Sequence, residues 1–191
     1  MSDDIIIAAI RQRLKAKQTD LNGGLRQRLT TITPVNIASD EKRLGFRLPP
    51  LLARLYAEIA NGGFGPGYGL IGLTNGAPDE DIGDTAPAIY ESFRRASTDE
   101  PSWNWPEGLL PICQWGCAIR SCVNCTDRNF RMQIFDPNVH EGLDWSDCFF
   151  EESASFTQWI EAWASGADLW GMMYGPDGRV TRALSSRRTA H

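Results

Sequence analysis

Two helix stops, separated by one short proline-started helix, constrain the fold more than any other feature of the sequence. The apolar pattern at 34–44 ends at Gly45, where glycine can adopt the left-handed conformation that closes a helix. Pro49 and Pro50 then start a second helix, because proline suits the first helical position. Asn61-Gly62-Gly63 ends that helix, since these residues tolerate positive φ. The segment is therefore predicted to form two helices joined by a tight turn.

Hydrophobic spacing and end signals predict further elements. Apolar residues recur at helical intervals over 4–17 and again over about 87–96. Ser155 and Gln158 form a capping-box pattern, which predicts a helix that ends near Gly166. A strand-like run follows the second helix stop, and the middle third alternates or is apolar between turn residues. The predicted strands lie at 68–73, 109–115, 117–125, 130–135 and 145–150.

This order of elements predicts an α+β fold. We expect a mainly antiparallel sheet of about four to six strands, because successive strands lie too close in sequence for parallel crossovers. The N-terminal helices and the C-terminal helix should pack against that sheet. The predicted organisation is an N-terminal helical extension at 1–33, an α+β domain at 34–170 and a basic, loosely ordered tail at 171–191.

The charge distribution favours a protein partner over nucleic acid. The formal net charge is −5, and the tail at 171–191 contributes +3, which leaves −8 for residues 1–170. A body of that sign repels nucleic acid and attracts a basic protein, although the same charge also serves solubility. The sequence has no apolar run of membrane-spanning length, no signal-peptide pattern and an odd number of cysteines. We therefore expect a cytoplasmic protein that binds no membrane, and its oligomeric state is left open.

Two segments are candidates for partner binding. The loop at 74–86 is rich in acidic residues that lack the ligand spacing of a calcium loop, so it is either a docking surface or a solvated loop. The segment at 101–106 holds two tryptophans between prolines, either buried under a sheet edge or exposed as binding hot spots. The candidate partner-binding residues are Asp79, Glu80, Asp81, Asp84, Trp103, Trp105 and Glu107.

Four cysteines lie close enough in sequence to raise the question of zinc: Cys113, Cys117, Cys122 and Cys125. Four thiolates can hold zinc tetrahedrally, but no second C-x₂-C motif is present. In a strand, alternation would send Cys122 to the face opposite Cys117 and Cys125. Burial as small apolar residues is therefore favoured, zinc or redox chemistry remains the alternative, and no cofactor is predicted.

Patterns that would indicate catalysis are weak. His140 lies beside a turn with no marked partner, and His191 is the last residue, so a Cys–His or Ser–His pair could use only His140. The glycine-rich run at 61–67 leaves a helix instead of entering one and is not followed by Lys-Ser/Thr, unlike a phosphate-binding loop. We expect no catalytic residues and no enzyme activity.

Four motifs occur in order over roughly 34–166. They are Glu41-Lys-Arg-Leu44-Gly45-Phe-Arg-Leu48-Pro49, Leu55-Tyr56 with Asn61-Gly62-Gly63, Leu110-Pro111-Ile112 to Asp136-Pro137, and Ser155-Phe156-x-x-Trp159. Their ordered combination resembles the SUKH superfamily, which contains yeast cell-wall-synthesis regulators of the Smi–Knr type and many bacterial proteins. We expect structural roles for the motif residues Glu41, Leu44, Gly45, Leu48, Pro49, Asn61, Gly62, Gly63, Pro111 and Trp159.

The resemblance implies a function based on binding. Bacterial SUKH domains are similar to immunity proteins, which bind and neutralise toxins, many of them nucleases, so the resemblance implies a toxin domain as partner. A scaffold or regulatory adaptor in cell-envelope synthesis is the alternative that the eukaryotic relatives suggest. A cysteine-dependent zinc or redox protein is a third hypothesis, which depends on the cysteine cluster alone. The family offers no fixed binding residues to transfer, because its shared motifs specify the fold.

Overall fold

The order of elements confirms the predicted α+β fold. The computed structural model describes residues 1–16, 30–99, 102–142, 144–175 and 180. The helices are α1 (Asp3–Lys15), α2 (Pro34–Leu44), α3 (Pro50–Glu58), α4 (Ala86–Asp99), α5 (Phe156–Ala164) and α6 (Leu169–Met173). The strands are β1 (Leu109–Gly116), β2 (Ile119–Asn124), β3 (Met132–Phe135) and β4 (Phe149–Ser153). None of the described helices is both long and apolar enough to cross a membrane.

The strands form one antiparallel sheet in the order β1-β2-β3-β4. Cys117 and Ala118 have φ values of 51° and 62° and make the tight turn between β1 and β2, so β2 begins later than the predicted start at 117. The strand predicted at 145–150 begins only at Phe149, because Trp145–Cys148 forms a 3₁₀ helix. The predicted run at 68–73 contributes a single isolated bridge between Leu70 and Cys113.

The helix ends near the first motif follow the predicted chemistry. Thr33 caps α2 by accepting a hydrogen bond from the Asn36 N–H, and Gly45 ends the helix with a φ of +84°. Glu41 then accepts a hydrogen bond from the Leu48 N–H at 2.9 Å, which fixes the turn into α3. At the second stop, Gly62 has a φ of +83°, and a Cβ there would lie 2.5 Å from a backbone nitrogen. Glycine is therefore required at this position.

Helices cover both faces of the sheet. Phe135 on β3 belongs to the main core, to which α1 contributes Ile6, Ile7 and Ile10. The neighbouring Ile134 points to the opposite face of the sheet, because side chains alternate along a strand, and it belongs to a second hydrophobic cluster. The predicted N-terminal extension is thus partly core, because the apolar stripe of α1 packs against α5.

The short helix α6 was not predicted, although Asp168 caps it by accepting a hydrogen bond from the Gly171 N–H at 3.1 Å. The second cluster takes two of its buried residues, Met173 and Tyr174, from this helix and its C-terminal cap. The expected tail at 171–191 therefore begins inside a helix. Residues 176–179 and 181–191 lie outside the described part of the chain, so the loose ordering of the tail stays a prediction.

Candidate functional site

A buried ion pair holds the loop at 79–84 against the sheet. Arg120 on β2 donates from Nε to Asp79 Oδ2 at 3.0 Å and from Nη2 to Asp79 Oδ1 at 3.3 Å. The two side chains are 2% and 0% exposed, and Arg120 also donates to the Ala118 carbonyl oxygen. This two-point geometry satisfies both charges inside the protein. Asp79, one of the residues predicted to bind a partner, is therefore inaccessible from the surface.

Asp79 also shapes the rest of the loop. Its Oδ1 accepts hydrogen bonds from the N–H groups of Asp81 and Ile82, both at 2.9 Å. The loop closes on itself where the Asp79 N–H donates to the Asp84 carbonyl oxygen at 2.8 Å. Glu80, Asp81 and Asp84 are exposed, and Ile82 is 45% exposed between them. Three of the predicted carboxylates thus project into solvent from a loop held in one conformation.

The turn between β1 and β2 joins this loop to a second acidic segment, at 136–148. The Ala118 N–H lies 3.4 Å from Asp81 Oδ2, and the Asn138 side-chain amide donates to the Cys117 carbonyl oxygen at 2.9 Å. Because 136–148 connects the paired ends of β3 and β4, all three segments lie at one end of the sheet.

We call this end of the sheet the acidic end. The three segments at 79–84, 116–118 and 136–148 contain no Lys or Arg. The exposed carboxylates of the acidic end are Glu80, Asp81, Asp84, Glu141, Asp144 and Asp147.

A buried carboxylate also anchors the second segment. Asp136 is 3% exposed and accepts hydrogen bonds from the Tyr174 hydroxyl at 2.9 Å and from the Asn138 N–H at 3.0 Å. Burial raises the pKa of Tyr174, and the hydrogen bond to Asp136 raises it further, so the phenol keeps the proton that it donates. Each acidic segment is thus held by one interior carboxylate and displays others in solvent.

His140 lies within the acidic end and has polar and aromatic contacts. Its ring stacks on Trp145 with centroids 4.0 Å apart, and its Nδ1 lies 3.2 Å from Asp147 Oδ1. That hydrogen bond is the main reason why the pKa of Asp147 is lowered. The Cys148 thiol donates to the same carboxylate at 3.4 Å, and burial followed by this contact raises the pKa of Cys148 to about 12.

His140, Asp147 and Cys148 are the residues within the described ranges that could together hold a metal ion. Their ligand atoms lie within 4.8 Å of one another. A structural zinc site usually has four ligands, and its cysteine must be a thiolate. The raised pKa of Cys148 opposes thiolate formation in the metal-free protein, and so it opposes nucleophilic chemistry at this thiol.

The four cysteines considered as zinc ligands do not converge. Cys113, Cys122 and Cys125 are buried, whereas Cys117 is exposed in the turn between β1 and β2. The set of side chains placed to share a metal ion includes none of these four, all of which are described. Burial raises the pKa values of Cys122 and Cys125, which favours the neutral thiol. The positions are therefore those of small apolar core residues with one surface exception.

The tryptophan segment divides between core and surface. Trp105 is 1% exposed and donates its indole N–H to the Leu109 carbonyl oxygen at 2.8 Å. Trp103 is half-buried and contacts Trp145 edge to face at 5.0 Å. Glu107 is exposed and precedes β1, at the end of the sheet opposite the acidic end. Of the predicted partner-binding residues, only Glu80, Asp81 and Asp84 are exposed at the acidic end.

Sequence reasoning missed Glu141, Asp144 and Asp147. One signal was available, because the segment at 136–148 holds no Lys or Arg and joins two strands expected to pair. A hairpin prediction would have placed this segment near the turn at 116–118. The position of the loop at 79–84 carries no such signal, because that loop reaches the sheet through the long-range pair of Asp79 with Arg120.

Comparison with models of known protein families gives a match. The model of the family described as SMI1 / KNR4 family (SUKH-1) matches residues 31–162. The matched region begins before α2 and ends within α5, so it contains all four strands and the whole acidic end. No curated protein is similar enough to count as a match.

Proposed function

The chain belongs to the SMI1/KNR4 family (SUKH-1), and on that premise we propose that it is a non-catalytic domain that binds and neutralises a basic toxin domain. The binding surface that we propose is the acidic end of the sheet. The observation that carries the proposal is the arrangement of this end, where exposed carboxylates from two distant segments are gathered without a Lys or Arg in either. The domain would act in the cytoplasm, where a toxin that has entered the cell meets its target.

The electrostatics of the acidic end support a basic partner. Carboxylates gathered on one face produce a field that attracts positively charged proteins and accelerates encounter. Many nuclease toxins carry the positive surface that binding to nucleic acid requires. Such a partner would meet the acidic end with complementary charge, and nucleic acid itself would be repelled.

The rigidity of the two segments also supports binding. The Asp79–Arg120 pair holds one segment, and the contacts of Asp136 with Tyr174 and Asn138 hold the other. A surface that is ordered before binding loses less conformational entropy when the complex forms. Ile82 and Val139, which are 45% and 37% exposed, add apolar area among the charges.

The experiment has two stages. The full chain is first used to isolate its partner from the source cells, and the partner is then expressed with and without the domain. We expect a basic protein whose expression stops growth and whose toxicity the domain removes. Recovery of an envelope-synthesis enzyme, without toxicity or rescue, would instead favour the scaffold alternative.

Charge variants then test the surface. Changing Glu80, Asp81 and Asp84 to their amides should slow association about tenfold at low ionic strength and reduce its salt dependence. The matched control changes Asp3, Asp4 and Glu107 to amides, which removes the same charge away from the acidic end. Equal effects of the two triple variants would contradict the proposed surface, because the acidic end would then contribute no more than net charge.

A further inference from the structure

A cavity lies on the side of the sheet away from β1. It has a volume of about 360 Å³ and is enclosed by β3, the edge strand β4, α5, α6 and Val180. Most of its wall is apolar, with Leu169 and Met172 from α6 and Ala162 from α5. The volume falls at the lower end of the range typical of ligand sites. Neither the acidic end nor the proposed partner surface uses this cavity.

Four polar residues line this cavity, Glu151, Glu152, Ser153 and Gln158, and among them Glu152 has a buried carboxyl oxygen without a partner in the described residues. Its Oε1 accepts hydrogen bonds from the Ser121 hydroxyl at 2.9 Å and from the indole N–H of Trp159. Its Oε2 is buried and, among the described residues, accepts no hydrogen bond. Buried carboxylate oxygens are ordinarily paired, so an unpaired one on a residue that lines a cavity leaves a place for a donor from outside the chain, which would reach it once the side chains around it shift.

Neighbouring side chains fix the direction of this carboxyl. The indole N–H of Trp115 donates to the Ser121 oxygen at 2.8 Å, so the Ser121 hydroxyl proton is directed to Glu152 Oε1. Trp159 donates to the same oxygen. Both donors thus act on Oε1 of Glu152, and Oε2 has no hydrogen bond from the described residues. The two partners of the carboxyl, Ser121 and Trp159, are themselves buried, so they fix its orientation.

We propose that this cavity binds an organic cation on an aliphatic stem, namely the side chain of a lysine carried by the protein partner. The ammonium group would donate to Glu152 Oε2, and the stem would lie against the apolar walls. Glu151, at the rim, adds a second negative charge near the entrance. This inference rests on the proposed function, since it names a chemical group of the partner and a second point of contact.

The protonation state of Glu152 makes the inference testable by pH. Burial raises the pKa of Glu152 to about 7. Within the part of the chain that the structure describes, the other titratable groups near it are Glu151 at the rim, the Cys122 thiol on β2 and the Tyr174 phenol after α6. Burial raises the pKa values of Cys122 and Tyr174, so these two groups stay neutral where Glu152 titrates. A cation selects the ionised carboxylate, so its affinity should follow the ionisation of Glu152.

The test uses the full chain and two small probes, n-pentylammonium and its neutral analogue 1-pentanol, titrated by NMR. We expect n-pentylammonium, which stays protonated over this range, to bind about tenfold more tightly at pH 8 than at pH 6. The affinity for 1-pentanol should not rise with pH. Equal pH dependence for the two probes, or none for the cation, would overturn the assignment of a cation site.

Variants test whether Glu152 is the group that controls the pH dependence of cation binding. Glu152→Gln should abolish the pH dependence of n-pentylammonium binding, and Glu151→Gln, the matched control, should retain it. In the sequence, Arg179 directly precedes Val180, and Arg182, Arg187 and Arg188 come after it, so a full chain with these four changed to Gln tests the chain's own cations. The n-pentylammonium titration of this variant should be unchanged. A gain of more than about tenfold in its affinity for n-pentylammonium would assign the cavity to the tail arginines and overturn the proposal.

The last measurement is the affinity of these variants for the isolated partner. Glu152→Gln should weaken binding of the isolated partner at least about tenfold at pH 8, whereas Glu151→Gln should have a smaller effect. Unchanged partner affinity in Glu152→Gln would overturn the assignment of the cation to the partner. Failure of the proposed function can be distinguished from failure of this inference. It would appear in the measurements on the acidic-end variants, and it would leave the titrations with n-pentylammonium and 1-pentanol unchanged.

Discussion

The acidic end of the sheet and the Glu152 cavity both present carboxyl groups, but they expose them to solvent differently. Glu80, Asp81 and Asp84 stand in water, where a carboxylate is charged at neutral pH and acts at a distance. Glu152 is half-buried with its Oε2 fully buried, and burial raises its pKa to about 7. The first region therefore responds to ionic strength, whereas the second responds to pH.

Asp79 provides a third environment for a carboxyl group. It neighbours Glu80 in sequence, yet it is buried against Arg120 and belongs to the interior. Three environments thus give carboxyl groups three roles: a long-range field, a structural ion pair and a proton-linked contact. Position relative to the sheet, and not local sequence, therefore decides which role a carboxyl group has.

The largest expected effect comes from breaking the interior pair. Asp79→Ala should lower the free energy of unfolding by about 3–5 kcal/mol, because Arg120 would keep a buried charge without its partner. Urea denaturation measures the change. Asp81→Ala, two residues away and exposed, is the control and should leave stability almost unchanged. Similar losses in both variants would remove the distinction between the two aspartates.

The second effect is a pH dependence that Glu152 adds to stability. Its pKa rises from 4.5 to about 7 on folding, so the folded state holds a proton that the unfolded state releases between these values. The resulting stabilisation is complete below pH 4.5 and is lost as the pH rises through about 7, a change of about 3 kcal/mol. Glu152→Gln should remove this decline.

Urea midpoints at pH 5 and pH 8 measure this effect. The original chain should lose more stability between the two values than Glu152→Gln does, and Glu151→Gln should behave like the original chain. An identical pH profile for the original chain and Glu152→Gln would show that Glu152 binds no additional proton on folding.

The smallest effect concerns His140 at the acidic end. His140→Phe keeps an aromatic ring against Trp145 but removes the hydrogen bond to Asp147. The pKa of Asp147 should then rise towards its ordinary value, while overall stability changes little, because the group is exposed. NMR titration of the Asp147 carboxyl measures this shift. An unchanged pKa would mean that the histidine has no influence on this carboxylate.

Much of the fold follows from local signals that the sequence states directly. The proline start and the Gly45 stop give α2 and α3 their bounds, and the Ser155 cap marks the start of α5. The strands of the meander are also readable, apart from their ends. Cys117 and Ala118 lie within an apolar run, yet their positive φ values turn the chain there.

The candidate site was only partly predictable, for a physical reason. The acidic composition of 79–84 is visible, but the burial of Asp79 depends on Arg120, which lies on a strand far along the chain. Glu152 gives no signal either, because its environment is made by Ser121 on β2 and by Trp159 on α5. Local patterns report caps and turns, whereas sites assembled from several elements require the tertiary structure.

The turn between β1 and β2 has a practical consequence. Cys117 is exposed there, at the centre of the acidic end, whereas Cys113, Cys122, Cys125 and Cys148 are buried. A maleimide dye should therefore attach to one position without mutagenesis, because thiol labelling requires access and a thiolate. The dye would stand between the two acidic segments, and its fluorescence would report directly when another protein arrives.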